Sequence, residues 1–200
     1  MTRELIDQAR AQRREGNLDA AVTTLTQAIA TSSDSTQLAD LYGMLGGTRR
    51  EQKDLVAAIS AYDTGFRHES GSSSTYNALN RLVTRVLLEP ASLSSPEALR
   101  RFGALDVVNV VESLAELEPT LRRDVDGPRR DDYWAAGDLA LIATLNGNAA
   151  EARRALEHFD SLTPPVFAYE KYRETFAELA ALDTPRKAML SEFRDRLARR

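Results

Sequence analysis

The chain has 200 residues, no cysteine, two histidines and a formal net charge of −4, so a disulfide scaffold, a thiolate zinc site and a cysteine nucleophile are excluded and a histidine-rich metal site is disfavoured. Hydrophobic residues at 42% and charged residues at 28% are globular proportions, enough for one domain or a short repeat array. A pI near 5.4 opposes the basic field that general nucleic-acid binding needs.

From the start, Met1–Asp7 lacks the apolar stretch of a secretory signal. No segment approaches the roughly 20 apolar residues that cross a bilayer. The expectation is a cytoplasmic chain with no membrane partner. Helical spacing then runs through the sequence: Leu18, Ala21, Val22, Leu25, Ala28 and Ile29; Leu55, Ala58, Ile59, Tyr62 and Phe66; Tyr76, Leu79, Val83 and Val86. It continues in Val107, Val110, Val111, Leu114 and Leu117, in Leu139, Ile142 and Leu145, and in Phe176, Leu179 and Leu182. The β-branched run Val107–Val111 has strand character, but the spacing carries on to Leu117 and assigns it to a helix. Breaks fall at Gly16-Asn17, Ser70–Ser74, Glu89-Pro90, Gly127-Pro128, Gly147-Asn148 and Pro164-Pro165. Ser95-Pro96 and Thr184-Pro185 offer caps with a first-turn proline. The pattern predicts about nine helices and no strand.

Three segments repeat: Gly16–Val22, Lys53–Ile59 and Gly147–Arg153, each a short turn leading into a helix with a small alanine at one fixed position. Tyr42, Leu45-Gly46, Ala58 and Tyr62 add an aromatic, a Leu-Gly pair and an Ala with an aromatic four later. On these residues the chain resembles the tetratricopeptide-repeat superfamily. The resemblance implies an all-α, right-handed superhelix of helical hairpins with an irregular middle: repeats at 1–34 and 39–71, a degenerate repeat with an excursion at 74–128, a repeat at 129–164 and capping helices at 165–200. Tyr76–Asn80, with Asp132-Tyr133-Trp134 opening a helix toward Leu145–Asn148, is similar to the TRAF-binding domain of MAP-kinase-kinase-kinases and its bacterial relatives. That similarity implies a regulatory interaction module in a signalling or defence setting.

With that repeat phase, the first helix of each hairpin would line a concave surface. There Arg10 and Arg13, Arg50, and the i, i+4, i+8 series Asn77, Arg81, Arg85 would form a basic groove inside an acidic protein. Guanidinium forks in such a groove suit carboxylates, so the expected partner is a protein or acidic peptide. The plain alternative is a solvated arginine-rich face. Ile6 and Met44 stand where the family's carboxylate clamp has polar residues, which argues against recognition of a chaperone C-terminus. Trp134 is either an interface anchor or a core residue at a helix start.

Carboxylates are plentiful, but their spacing selects no catalytic pair; no enzyme activity, cofactor or metal is expected. Gly46-Gly47-Thr48 is read as close helix packing, not a phosphate loop. Two rivals stay open: an enzyme on a helical scaffold, marked by a pocket of Asp132, Glu112 and a histidine, and an RNA-binding helical array using the arginine stripe, marked by a steep salt dependence.

Overall fold

The computed structural model describes residues 2–69, 75–103 and 105–199. Among them are ten α-helices and no strand: α1 Thr2–Arg14, α2 Leu18–Thr31, α3 Ser35–Glu51, α4 Leu55–His68, α5 Tyr76–Leu88, α6 Val110–Asp126, α7 Tyr133–Asn146, α8 Ala149–Ser161, α9 Val166–Ala180 and α10 Lys187–Leu197. Two 3₁₀ turns, Pro90–Leu93 and Pro96–Arg101, occupy the irregular middle. The all-α hairpin architecture expected from the sequence is therefore present, with α1 to α5 packed in succession, α6 to α8 likewise, and α9 on α10. The predicted break at Ser70–Ser74 lies outside the described residues. No helix among the described residues is long and apolar enough to cross a membrane.

The chain divides into two compact units, Met1–Leu88 with Phe102–Asp106, and Glu89–Arg101 with Val107–Arg200. In the first, hairpins α1/α2 and α3/α4 are followed by α5 on α4; in the second, α6 precedes hairpins α7/α8 and α9/α10. Between the first hairpin and α3 the core is Ala9, Leu25, Ala28 and Leu41, with Ile6, Met44 and Leu45 against it.

The three repeated segments share one geometry. Gly16, Lys53 and Gly147 have φ of 77°, 64° and 81°. The next residue donates its N–H to the carbonyl five residues back: Asn17 to Gln12, Asp54 to Arg49 and Asn148 to Ala143, at 2.8, 3.0 and 2.8 Å. This is a Schellman ending. The side chains of Asn17, Asp54 and Asn148 then cap the following helix through the N–H groups of Ala20, Ala57 and Glu151. One two-residue signal thus closes one helix and starts the next. Downstream, Ala21, Ala58 and Ala152 are each 0% exposed.

Two boundaries differ from the sequence reading. The 107–117 helix starts only at Val110, because the side chain of Asn109 accepts from the Glu112 N–H and caps it there. Val107 is left exposed. Thr184-Pro185 does not cap the last helix directly: α10 begins at Lys187, and the Thr184 hydroxyl accepts from the N–H of Arg186 in the turn before it.

The left-handed turn position is glycine in two copies and lysine in the third. A non-glycine residue there costs about 1–2 kcal/mol, partly offset by the lower unfolded-chain entropy that a side chain brings. Lys53→Gly should therefore raise stability by up to about 1 kcal/mol in urea titration. Gly147→Ala should lower it by more than this, since a Cβ there also falls 2.6 Å from the guanidinium carbon of Arg186.

Candidate functional site

In the first unit a groove of about 300 Å³ is lined by Ile6, Arg10 and Arg13 of α1, Ala39, Asp40 and Met44 of α3, and Tyr76 and Asn77 of α5. A wider cleft of about 690 Å³ shares Arg10 and Arg13 and adds Asp7, Arg14 and Glu51. Helical spacing puts Ile6, Arg10 and Arg13 on one face of α1. The space exists because α3 carries glycine where it faces these side chains. A Cβ at Gly43 would lie 3.0 Å from Asn77 Oδ1 and 3.1 Å from the Tyr76 ring, and one at Gly47 would lie 3.0 Å from the Arg13 guanidinium. Gly46 serves packing, as expected: a Cβ there would be 2.7 Å from the buried ring of Tyr62.

Arg13 donates through Nε and Nη2 to the two carboxylate oxygens of Glu51, at 2.8 and 2.6 Å. That hydrogen-bonded pairing raises the arginine's pKa. Arg10 is exposed, with Asp7 3.6 Å away. Burial pushes the Asp40 carboxyl above its ordinary range, against the pull of Arg10. Arg50 lies half-buried in the last turn of α3.

The series Asn77, Arg81, Arg85 does not form an exposed stripe. Asn77 is 2% exposed; its Nδ2 donates to the Ala39 carbonyl at 3.0 Å and to Glu69 Oε1 at 2.9 Å. Arg85 is fully buried and grips Asp63 through both terminal nitrogens, at 2.9 and 2.7 Å. Its Nη2 also reaches the Asp106 carbonyl at 3.3 Å. Arg81 lies over the Phe66 ring, 3.8 Å from its centroid, and 3.9 Å from Asp63; burial lowers its pKa. Of the three, only Asn77 borders the groove. Helical spacing gave the common face correctly, but that face turns toward α4, where Asp63 waits.

Trp134 belongs to the second unit. It sits half-buried in the first turn of α7, among Tyr133, Tyr172 and Phe167 at ring-centroid distances of 5.2, 5.8 and 6.1 Å. Asp132 caps α7 by accepting from the Trp134 N–H at 2.9 Å, and Arg129 holds the same carboxylate at 2.9 Å. Glu112 is exposed in the first turn of α6. His158 sets Nε2 2.7 Å from the Arg130 carbonyl, and His68 stacks on Tyr42. Among the described residues no three metal-ligating side chains come together.

Residues that spacing did not single out organise both units. Asp63 and Glu69 receive the buried polar groups of α5. In the second unit Glu118 accepts from Asn146 and Asn148, both at 2.8 Å, and from Arg122 at 2.9 Å. The signal available in advance was Asn146-Gly147-Asn148 itself, whose amides need an acceptor once the turn is packed. Comparison with protein-family models, with curated proteins and with solved structures returned no match.

Removing one member of a buried ion pair strands the other. Asp63→Ala should cost about 3–5 kcal/mol in urea unfolding. The double replacement Asp63→Leu with Arg85→Met should cost less, because the fully buried Arg85 charge is removed together with its partner.

Proposed function

We propose that this protein is a cytoplasmic protein–protein interaction module of tetratricopeptide type, an adaptor or regulatory subunit in a signalling system. Its groove between α1, α3 and α5 receives an acidic segment of a partner protein. The observation that carries this reading is the groove's make-up: Ile6, Ala39, Met44 and Tyr76 beside Arg10 and Arg13, with Asp40 the one acidic residue of its lining, and with Arg14, Asp7 and Glu51 on the adjoining cleft. Glu51 uses two of the five N–H donors of Arg13 and holds the side chain in place. A planar fork already held in position loses little freedom when it takes a carboxylate. The mechanism is binding and positioning, without bond chemistry.

Among the residues named from spacing, Arg10, Arg13 and Asn77 border this groove. Arg85 has no exposed surface to offer a partner. Arg81 and Arg50 are not among the lining residues of the groove, and Trp134 belongs to a different unit.

The test is fluorescence anisotropy with labelled peptide pools, one acidic with interspersed apolar residues and one with each acidic residue exchanged for lysine. The acidic pool should bind, with affinity falling as salt rises. Arg10→Glu with Arg14→Glu, both at exposed positions, should weaken binding at least tenfold with an unchanged melting temperature. Equal binding of both pools, or no loss in the double variant, removes the reading.

A further inference from the structure

In the second unit, Tyr172 of α9 turns its hydroxyl toward two oxygens at once. The carbonyl of Trp134 is 2.8 Å away and Oδ1 of Asp138, on α7, is 2.7 Å away. A phenol has one proton, and a carbonyl only accepts. With Asp138 ionised, three oxygens share a single hydrogen, and the two short contacts compete for it. With Asp138 protonated, its own O–H donates to Tyr172 Oη, Tyr172 donates onward to Trp134, and each contact has its proton.

The surroundings hold this arrangement in place. Gly137 lets the tyrosine approach, since a Cβ there would fall 2.2 Å from Tyr172 Cζ. Phe159 of α8 packs edge-on against the Tyr172 ring at 5.4 Å. The charges nearby are engaged with one another. In the turn before α7, Arg129 binds Asp132 at 2.9 Å and reaches Asp124 of α6 at 3.9 Å. On α8, His158 meets the Arg130 carbonyl, while Asp160 takes Tyr169 of α9 at 3.3 Å and Arg196 of α10 at 3.0 Å. The principal partner of α9 is α10, and α9 meets α7 at few positions, so this cluster is a large part of that seam.

We propose that Asp138, Tyr172 and the Trp134 carbonyl form a proton-operated latch, which fastens α9 to α7 when Asp138 is protonated and loosens when it is not. Opening it disturbs the aromatic layer of Trp134, Tyr172 and Phe167 and moves the exposed first turn of α9, where Val166 and Phe167 face solvent. Burial pushes the Asp138 carboxyl up to about 7, while the Tyr172 hydrogen bond and Arg129 pull it down. The folded carboxyl thus keeps its proton far above the 3.8 at which an unstructured aspartate releases it. The folded state binds the extra proton between these limits, so this contribution to stability declines as pH rises through the interval and levels off above about pH 7.

Trp134 is the sole tryptophan and reports on the latch directly. In the full chain, its emission titrated from about pH 5 to 9 should show a transition centred near pH 7. Asp138→Asn should abolish the transition, because the amide donates to Tyr172 at every pH, and His158→Gln, the control for imidazole titration, should keep it. Should the asparagine variant fail to fold, the ¹³C shift of the Asp138 carboxyl in the unaltered protein reads the proton itself, and a midpoint within about one unit of 7 is expected. The proposal is overturned by a flat emission profile, by a transition that survives in Asp138→Asn or vanishes in His158→Gln, or by a carboxyl midpoint below about 5.

Discussion

Two antiparallel helices joined by a turn of two or three residues pack closely only where a crossing side chain is small and the chain reverses without leaving polar groups unpaired. Ala21, Ala58 and Ala152 meet the first condition, each without exposed surface. The second is met by a left-handed residue at 16, 53 and 147 followed by Asn or Asp. That following residue satisfies a carbonyl of the helix before through its backbone N–H and an amide of the helix after through its side chain. The packing within these three hairpins depends on this turn. Tyr62 lies in the space that Gly46 leaves, and Arg13 stands over Gly47, only because α3 and its neighbours are held this close.

Close packing brings polar side chains inside, and the first unit resolves the cost by pairing. Arg85 enters the interior with Asp63 on both terminal nitrogens, and Asn77 enters with Glu69 and the Ala39 carbonyl. A buried charge is tolerated when matched and bonded, and is expensive when alone. The second unit follows the same rule through Glu118, Asn146 and Asn148, and departs from it at Asp138, whose closest partner is a neutral phenol. Desolvation favours the protonated form of that carboxyl, against the pull of the Tyr172 hydrogen bond.

Helix identity and hairpin phase were legible from the residues, because apolar spacing and turn chemistry are local. The turn at Lys53-Asp54 was recognisable from Gly16-Asn17 although lysine is a poor left-handed residue, since the N-cap aspartate and the spaced Leu55, Ala58, Ile59 and Tyr62 carry the same information. The start of α6 was less legible. Val107 and Val110 share a helical face, and only the Asn109 cap separates the exposed first from the buried second.

By itself, the sequence determined that the described residues are all-α, where the repeated hairpins turn and that their alanines and Gly46 sit at close crossings, because these follow from backbone sterics and a 3.6-residue period. Tertiary structure alone decided which polar residues face inward. A helix face carrying Asn77, Arg81 and Arg85 reads the same whether it meets solvent or a neighbouring helix. The outcome depends on Asp63 and Glu69 arriving on α4 and at its end. Tyr172 and Asp138, far apart in sequence, acquire their shared proton chemistry the same way, from a contact that desolvates both and that no local pattern encodes.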